Sequence, residues 1–284
     1  MTQTGPVPEL PEVESARAAI EASALHRRIR DVDDSDTWEC RPHAPGEIAS
    51  ALAGRSLTGA FRRGKTMWCE TSGVGRSRIA GPVLGLHLGM SGRILVTDAS
   101  GNPTEGGDRL DGRYGTIAEQ VDRNPVWDRF TLTFADGGSL RLFDKRRLGR
   151  VRLDPVLDAL GPDAEQVGVA EFRRRVGRGS APVKARLLDQ SVIAGVGNLL
   201  ADETLWQAGL DPRRRVDTLS HDDLTDLHRA LRKATKAAIR RGGVHTGVII
   251  EHRREGDHCP RCGAEMARAT VGGRTTWWCP QDQT

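Results

Sequence analysis

Gln190-Ser191-Val192-Ile193-Ala194-Gly195-Val196-Gly197-Asn198 is the stretch on which the fold turns. A helix is predicted on each side of it. Pro182 to Asp189 opens with a proline in the first turn, and Asn198 to Ala208 stops at Gly209, a residue suited to the left-handed position after a helix. Gly195 and Gly197 permit positive φ and close backbone approach. With Asn198 as N-cap, the second helix would present free amides at its N-terminus, a seat for phosphate, and Lys184 adds a cation. An ordinary helix–turn–helix packing element reads from these residues equally well.

C-terminal to this turn, Ser220-His221-Asp222-Asp223 reads as a capping box with Asp in place of Glu or Gln. It opens a helix to Arg241 whose buried face is Leu224, Leu227, Leu231, Ala234 and Ala238, and Gly242-Gly243 ends it. The tail, residues 251–284, is predicted to be a cysteine-bearing hairpin. Cys259-x2-Cys262-x16-Cys279-x2-Asp282 has zinc-ribbon spacing except at the last position, where Asp282 replaces a thiolate. His258 and His252 are substitute fourth ligands, and a hairpin that has lost its metal is the bland alternative.

Toward the N-terminus, Val169 to Val176 is a short basic helix, and residues 28–153 read as β structure. Apolar stretches recur at Ile29–Val32, Leu57–Phe61, Met67–Cys69, Val83–Leu88, Arg93–Val96, Phe130–Phe134, Ser139–Phe143 and Val151–Leu153. Asp136-Gly137-Gly138 marks a tight hairpin. Residues 98–126 are polar and Gly-rich and read as a long surface loop. Ahead of these, Pro8-Glu9-Leu10-Pro11-Glu12-Val13-Glu14 starts an amphipathic helix with Val13, Ala16, Ile20 and Ala24 on one face. Pro8 is chemically distinctive only as a chain terminus, where it is a nucleophilic secondary amine; inside a chain it is an amide.

The 284 residues allow two domains and a small appendage. No run approaches a membrane span and no signal peptide opens the chain, so a soluble, cytoplasmic protein is expected. Five cysteines, three of them bunched near the end, do not make a secreted disulfide framework. The net charge is only +4, yet basic residues cluster at Arg62-Arg63-Gly64-Lys65, Lys145-Arg146-Arg147, Arg173-Arg174-Arg175, Arg213-Arg214-Arg215 and Arg253-Arg254. Most such runs are solvated faces; five spread over the whole length, most of them next to turns, suit a polyanionic partner. Two turns add apolar tips. Gly85-Leu86-His87-Leu88-Gly89-Met90-Ser91-Gly92-Arg93 exposes Met90, and Asp144-Lys145-Arg146-Arg147-Leu148-Gly149-Arg150 presents Arg and Leu; such a Met or Leu is usually core, but glycine and arginine flanks place one well to wedge into a base stack. The Arg62–Lys65 turn reads as a phosphate clamp or a solvated hairpin tip.

In this order, from about Pro8 to Asp282, the motifs resemble the formamidopyrimidine-DNA glycosylase and endonuclease VIII family of base-excision repair enzymes. The resemblance implies an α+β protein: a β-sandwich with flanking helices over 8–153, a helix–two-turn–helix domain over 154–248, and a zinc-ribbon-like hairpin over 249–284, with DNA in a basic cleft between domains. It makes Pro8 the nucleophile that attacks C1′, Glu9 the acid that protonates the opening sugar, Glu12 a supporting carboxylate and Lys65 a phosphate-binding lysine. Met90 would fill the gap left by a flipped base and Arg146 face the orphaned partner base. Leu148 stands where phenylalanine is usual. Asn198 would bind phosphate, Glu203 is a carboxylate on the following helix, Arg274 reaches the DNA backbone, and His87 and Lys184 join the DNA-contacting set. One structural zinc on Cys259, Cys262, Cys279 and Asp282 is implied, and no catalytic metal.

The implied activity is bifunctional: excision of oxidised or ring-opened bases through a proline Schiff base, then β,δ-elimination at the abasic site of damaged double-stranded DNA. A monomer in the cytoplasm, at the nucleoid, is expected. Three departures qualify this. Six residues and Val7 precede Pro8; Val7 stands where the initiator methionine belongs, and a start codon read as valine accounts for the extension. The fourth cysteine is missing. Only Val244 to His258 separates Gly243 from Cys259, where purine-specific members carry a longer loop, so oxidised pyrimidines, abasic sites and opened rings fit at least as well as 8-oxoguanine. The competing reading is a catalytically silent damage-sensing DNA-binding protein with an acylated Pro8. An RNA- or ribosome-associated zinc module leaves Pro8, Glu9 and Met90 unexplained.

Overall fold

Helix α1 (Leu10–Ser23) buries Val13, Ala16 and Ile20 along one stripe continued by Ala24, as their spacing predicts. The computed structural model describes residues 8–75, 79–107 and 124–284. These residues form two compact units, one built on Glu12–Leu157 and the other on Glu9–Pro11 with Asp158–Thr284.

The first unit is a β-sandwich. One sheet has the order β1-β7-β8-β5-β6, from β1 (Ile29–Asp33), β5 (Arg93–Thr97), β6 (Pro103–Gly107), β7 (Asp128–Phe134) and β8 (Ser139–Phe143). The other has the order β2-β3-β4-β9, from β2 (Leu57–Arg63), β3 (Thr66–Thr71), β4 (Leu84–His87) and β9 (Arg150–Leu153). All pairings within both sheets are antiparallel. Alternate residues of the two sheets meet in one core: Phe130, Leu132, Phe134, Leu140, Leu142, Ile94 and Val96 from the first, Leu57, Met67, Leu84, Leu86 and Val151 from the second. The Asp136–Gly138 turn closes β7 onto β8, with Gly137 at φ 93°.

Two elements of this unit depart from the sequence reading. Part of the 98–126 stretch is a strand: β6 pairs with β5 from Arg93↔Gly107 to Thr97↔Pro103. Its Pro-Thr-Glu-Gly-Gly composition hides it, and both features suit a sheet edge. Pro103 opens the strand, and Gly106 lies so close to α1 that a Cβ would meet the Ser15 carbonyl oxygen at 2.2 Å. Residues 108–123 of that stretch lie outside the described residues, as do residues 1–7. The second is α2 (Glu47–Leu52), a short helix within the stretch read as β. Its N-terminal amides are capped from a distance: the Asp34 carboxylate accepts from Gly46, Ile48 and Ala49 N–H at 2.8, 2.9 and 3.1 Å.

The second unit holds α3 (Val169–Val176), α4 (Val183–Leu188), α5 (Asn198–Ala208), α6 (His221–Arg241) and a hairpin of β10 (Ala267–Val271) and β11 (Arg274–Trp278). The capping box at the start of α6 forms in both directions between Ser220 and Asp223, and Leu224, Leu227, Leu231, Ala234 and Ala238 are buried. Gly209 ends α5 at φ 69°. A small cluster of Trp206, Ile249, Cys259, Met266 and Cys279 seats the cysteine hairpin against α5.

Candidate nucleic-acid site and cysteine cluster

The amides that open α5 are already occupied. Gly197, not Asn198, is the N-cap residue, and it offers no side chain. The cap arrives from the other end of the chain. The Glu9 carboxylate accepts from Gly197 N–H at 2.9 Å, Leu199 N–H at 2.8 Å and Leu200 N–H at 3.1 Å. Leu10 N–H donates to the Gly195 carbonyl at 3.2 Å, completing the clasp. Gly197 is glycine for a steric reason, since a Cβ would stand 2.3 Å from the Glu9 carboxyl carbon. The predicted phosphate seat at this helix start is therefore a carboxylate seat. It fixes the residue that follows the buried Pro8. Glu12 is buried at 2% exposure.

In the sandwich unit, Lys65 occupies a two-residue hairpin turn after Gly64, whose φ is 60°. Of its basic neighbours, Arg62 is not a surface group: its side chain is 3% exposed and pairs with Glu14 at 2.9 Å. His87 ends β4 and its Nδ1 accepts from Gly89 N–H at 3.0 Å. Burial, and then the Lys65 charge, hold its imidazole below the usual histidine range, so it is neutral as that hydrogen bond requires. The Met90 turn and the Arg146–Leu148 turn touch through their backbones: a Cβ on Gly89 would meet Leu148 C at 2.4 Å and Gly149 N at 2.5 Å. Met90 is half-buried and Arg146 exposed. Leu148, 39% exposed, is an apolar side chain with no core to fill.

Lys184 requires a correction. It does not add a surface cation to the glycine turn, because its side chain is wholly buried and its Nζ lies 2.6 Å from Asp202 Oδ1. Asp202 Oδ2 is paired with Arg253 Nε at 2.8 Å. Lys184 also donates to Thr276 Oγ1 at 2.7 Å. Burial pulls its pKa below the usual lysine value even beside Asp202. The network ends on one backbone atom of β11, the Thr275 carbonyl oxygen, which accepts from Asn198 Nδ2 at 3.0 Å and from Arg253 at 3.3 Å. Asn198 keeps a second Nδ2–H for another acceptor. Arg274, the residue before Thr275, is exposed at the start of β11. Nothing in the spacing of Lys184, Asp202 and Arg253 along the chain marks this network.

Glu203 is likewise buried. It is 4% exposed, accepts from Gln207 Nε2 at 2.6 Å, and accepts from Ile249 N–H at 3.0 Å. A buried carboxylate so engaged ties down the segment after α6.

The three cysteines do come together. The Sγ atoms of Cys259, Cys262 and Cys279 lie within 4.8 Å of one another, a spacing that a single tetrahedral ion with bonds of about 2.3 Å can bridge. Arg261 N–H and Asp282 N–H donate to Cys259 and Cys279 sulfur at 3.4 and 3.3 Å, the support a thiolate would need. The group could hold a metal ion. Asp282 does not complete it: its carboxylate is paired with Arg261. His252 faces Asp257 at 3.3 Å and His258 is exposed.

Residues 7–151 match the formamidopyrimidine-DNA glycosylase N-terminal domain and residues 159–249 the H2TH domain of the same enzymes. The formamidopyrimidine-DNA glycosylase of Corynebacterium aurimucosum is 31% identical over 98% of this chain and 96% of its own. That of Acidithiobacillus ferrooxidans is 33% identical over 98% of this chain and all of its own, 100%. Among solved structures, Lactococcus lactis Fpg with DNA containing an abasic site is similar at a TM-score of 0.75 and 25% identity, covering 97% of this chain and 99% of that one. Wild-type L. lactis Fpg with DNA containing an oxidised pyrimidine gives 0.76 and 27%, covering 98% and 100%. Sandwich, glycine turn and cysteine hairpin thus define one class of DNA repair enzyme. The chain belongs to the formamidopyrimidine-DNA glycosylase family and is an enzyme of that type.

Proposed function

We propose that this enzyme excises oxidised or ring-opened bases from damaged double-stranded DNA in the cytoplasm and then cleaves the abasic strand, with Pro8 as its nucleophile. The observation that carries the assignment is the clasp on Glu9, whose three amide hydrogen bonds fix the residue following Pro8. The target base is flipped out, because its glycosidic bond is unreachable in the stack. The Pro8 nitrogen attacks C1′, the C1′–base bond breaks, and the base departs with its electron pair and takes up a proton from water. Glu9, an amide-held carboxylate at the start, takes the proton of the attacking Pro8 nitrogen and passes it to O4′ as the sugar opens, leaving an iminium. The iminium acidifies the C2′ proton; its loss expels the 3′ phosphate, and a second elimination expels the 5′ phosphate. This chemistry needs a free Pro8 amine, so the active chain starts there. A chain with Pro8 acylated by Val7 is the silent damage-binding protein. The compact segment after α6, tied to Glu203, favours oxidised pyrimidines, abasic sites and opened rings at least as much as 8-oxoguanine.

DNA contact is assigned to Lys65, Asn198 and Arg274 on phosphates, to Met90 and Leu148 as the wedge, and to Arg146 on the orphaned base. Affinity is expected to fall steeply with salt, and removing Lys65 or Arg274 to lower the slope by roughly one each. Met90→Ala should leave the slope alone and cut discrimination between abasic-site and intact duplex. Titrations over a salt series check both, and equal loss on the two duplexes would argue against a wedge.

The cysteine cluster is assigned one structural zinc held by Cys259, Cys262 and Cys279. The metal supplies folding free energy to the hairpin and no chemistry to the reaction. With Asp282 engaged by Arg261, Asp282→Ala should leave the stoichiometry at one, and Asp282→Cys should tighten binding by supplying a fourth thiolate. Metal analysis and competition with a chelator test this. Active protein without zinc would show a metal-independent hairpin.

A further inference from the structure

Asp144 lies at the end of β8, fully buried, and its two oxygens accept four hydrogen bonds from two turns. Oδ1 accepts from Ser91 Oγ at 2.7 Å and from Arg146 N–H at 2.9 Å; Oδ2 accepts from Leu148 N–H at 2.8 Å and Gly149 N–H at 2.9 Å. One carboxylate therefore ties the Met90–Ser91 turn to the turn bearing Arg146 and Leu148. The tie holds a costly conformation, since Arg147 sits at φ 53°, a left-handed geometry that a non-glycine residue adopts at a cost. Arg147 is braced there by Asp36 at 2.8 Å.

Behind this knot is Glu39, whose side chain the reaction does not use. It is wholly buried, and among the described residues no donor reaches either of its oxygens. Glu39 and Asp144 crowd the same residue, since Gly149 N–H donates to Asp144 Oδ2 and a Cβ on Gly149 would stand 2.6 Å from Glu39 Oε2; both are acceptors, so a hydrogen bond between them requires a proton on one of the two. Four donors hold Asp144 as the carboxylate, so the proton belongs to Glu39, which must share an Asp144 oxygen with one of those donors. Burial first, and then the Asp144 charge, push the Glu39 carboxyl up to about 9.

We infer that Glu39 is a positioning residue for base displacement: a neutral carboxylic acid, hydrogen-bonded to Asp144, that locks the Met90 turn and the Arg146–Leu148 turn into one rigid wedge. The inference rests on the wedge reading given above and adds to it the device that holds the wedge. The other charged groups facing Glu39 are Asp36 on its own loop, itself paired with Arg147, and Arg129 of β7, whose Nε donates to the Asp144 carbonyl at 2.8 Å. The Cys40 thiol beside it is pushed up to about 12, first by burial, and His87 of β4 is held neutral, so neither changes charge near pH 9.

The test is the ratio of affinities for abasic-site and intact duplex, measured from pH 7 to 10. Glu39→Gln, which keeps a neutral donor in the same place, should hold the ratio within about twofold at pH 7, whereas Asp144→Asn should lower it roughly tenfold or more, about 1.4 kcal/mol. In the unsubstituted enzyme the ratio should fall as pH rises through about 9, when Glu39 loses its proton and two carboxylates face each other. In Glu39→Gln that fall should be absent. An identical pH profile in the two proteins, or Glu39→Gln as poor as Asp144→Asn at pH 7, overturns the inference alone. A Met90→Ala protein that discriminates as well as the parent overturns the wedge reading and this inference with it.

Discussion

Borohydride will trap a chain that begins at Pro8 as a covalent adduct on abasic-site DNA, and Pro8→Gly will lose most of that product. The secondary amine of a terminal proline forms an iminium that hydride reduces to a stable bond. A chain that keeps Met1 to Val7 has an amide nitrogen at Pro8 and should trap nothing. Glu9 makes the prediction specific to position. Its carboxylate is held by Gly197, Leu199 and Leu200 amides, so the peptide following Pro8 cannot drift relative to α5. A glycine amine in the same place is less nucleophilic and less constrained. The loss expected for a misplaced catalytic group is on the order of a hundredfold. Single-turnover cleavage and trapping, run side by side on the chain that begins at Pro8 and on its Pro8→Gly variant, measure it. Trapping that survives unchanged in Pro8→Gly assigns the nucleophile elsewhere, with the Lys65 amine next in line. An intact mass including Met1–Val7 in active protein from its own host would place the lyase on another amine.

Elements with local signals were legible in the chain, because each signal acts over a few residues. The Ser220–Asp223 capping box, the Gly209 stop and the alternating apolar positions of β7 and β8 need no distant partner to be read. Apart from β6, which its composition concealed, what stayed hidden was held by carboxylates reaching partners distant in the chain. Asp34 caps α2 from across a loop, Glu9 caps α5 from the far end of the chain, and Asp144 gathers two separate turns. For Asp34 and Glu9 the amides are local and the acceptor is not, and for Asp144 the amides are near in sequence but Ser91 is not, so neither end alone announces the pair. Lys184 shows the same limit for charge. Its sequence neighbourhood suggests a free cation near a phosphate seat, and only the fold reveals Asp202 and Arg253 around it. Several arginine clusters lose part of their basic surface in this way: Arg213, Arg214 and Arg215 each pair with an aspartate, at 2.5, 3.1 and 2.6 Å.

Asp202→Ala is expected to destabilise the helical unit by about 3–5 kcal/mol, the range for stranding a buried charge. Lys184 is 0% and Asp202 1% exposed, so no solvent replaces the lost carboxylate. Without it, the Lys184 ammonium and the Arg253 guanidinium face each other across the Thr275 carbonyl. Burial already draws Lys184 below the usual lysine range, and removing its counter-charge lowers it further. The folded variant then binds fewer protons than the unfolded chain, so its stability rises with pH. The deficit should accordingly be largest near neutrality and shrink toward pH 10, and urea unfolding at several pH values resolves this. Lys184→Met with Asp202→Leu should recover most of the loss, because apolar side chains of similar size need no partner there and Arg253 can turn toward water. The same series should lower DNA affinity in Asp202→Ala beyond its effect on folding. Thr275 is anchored by Lys184, Asn198 and Arg253, so releasing it also releases Arg274, the residue before it. A variant that unfolds with less than about 1 kcal/mol of loss, the range of an exposed pair, would mean that the ions are not desolvated and that other contacts hold the hairpin.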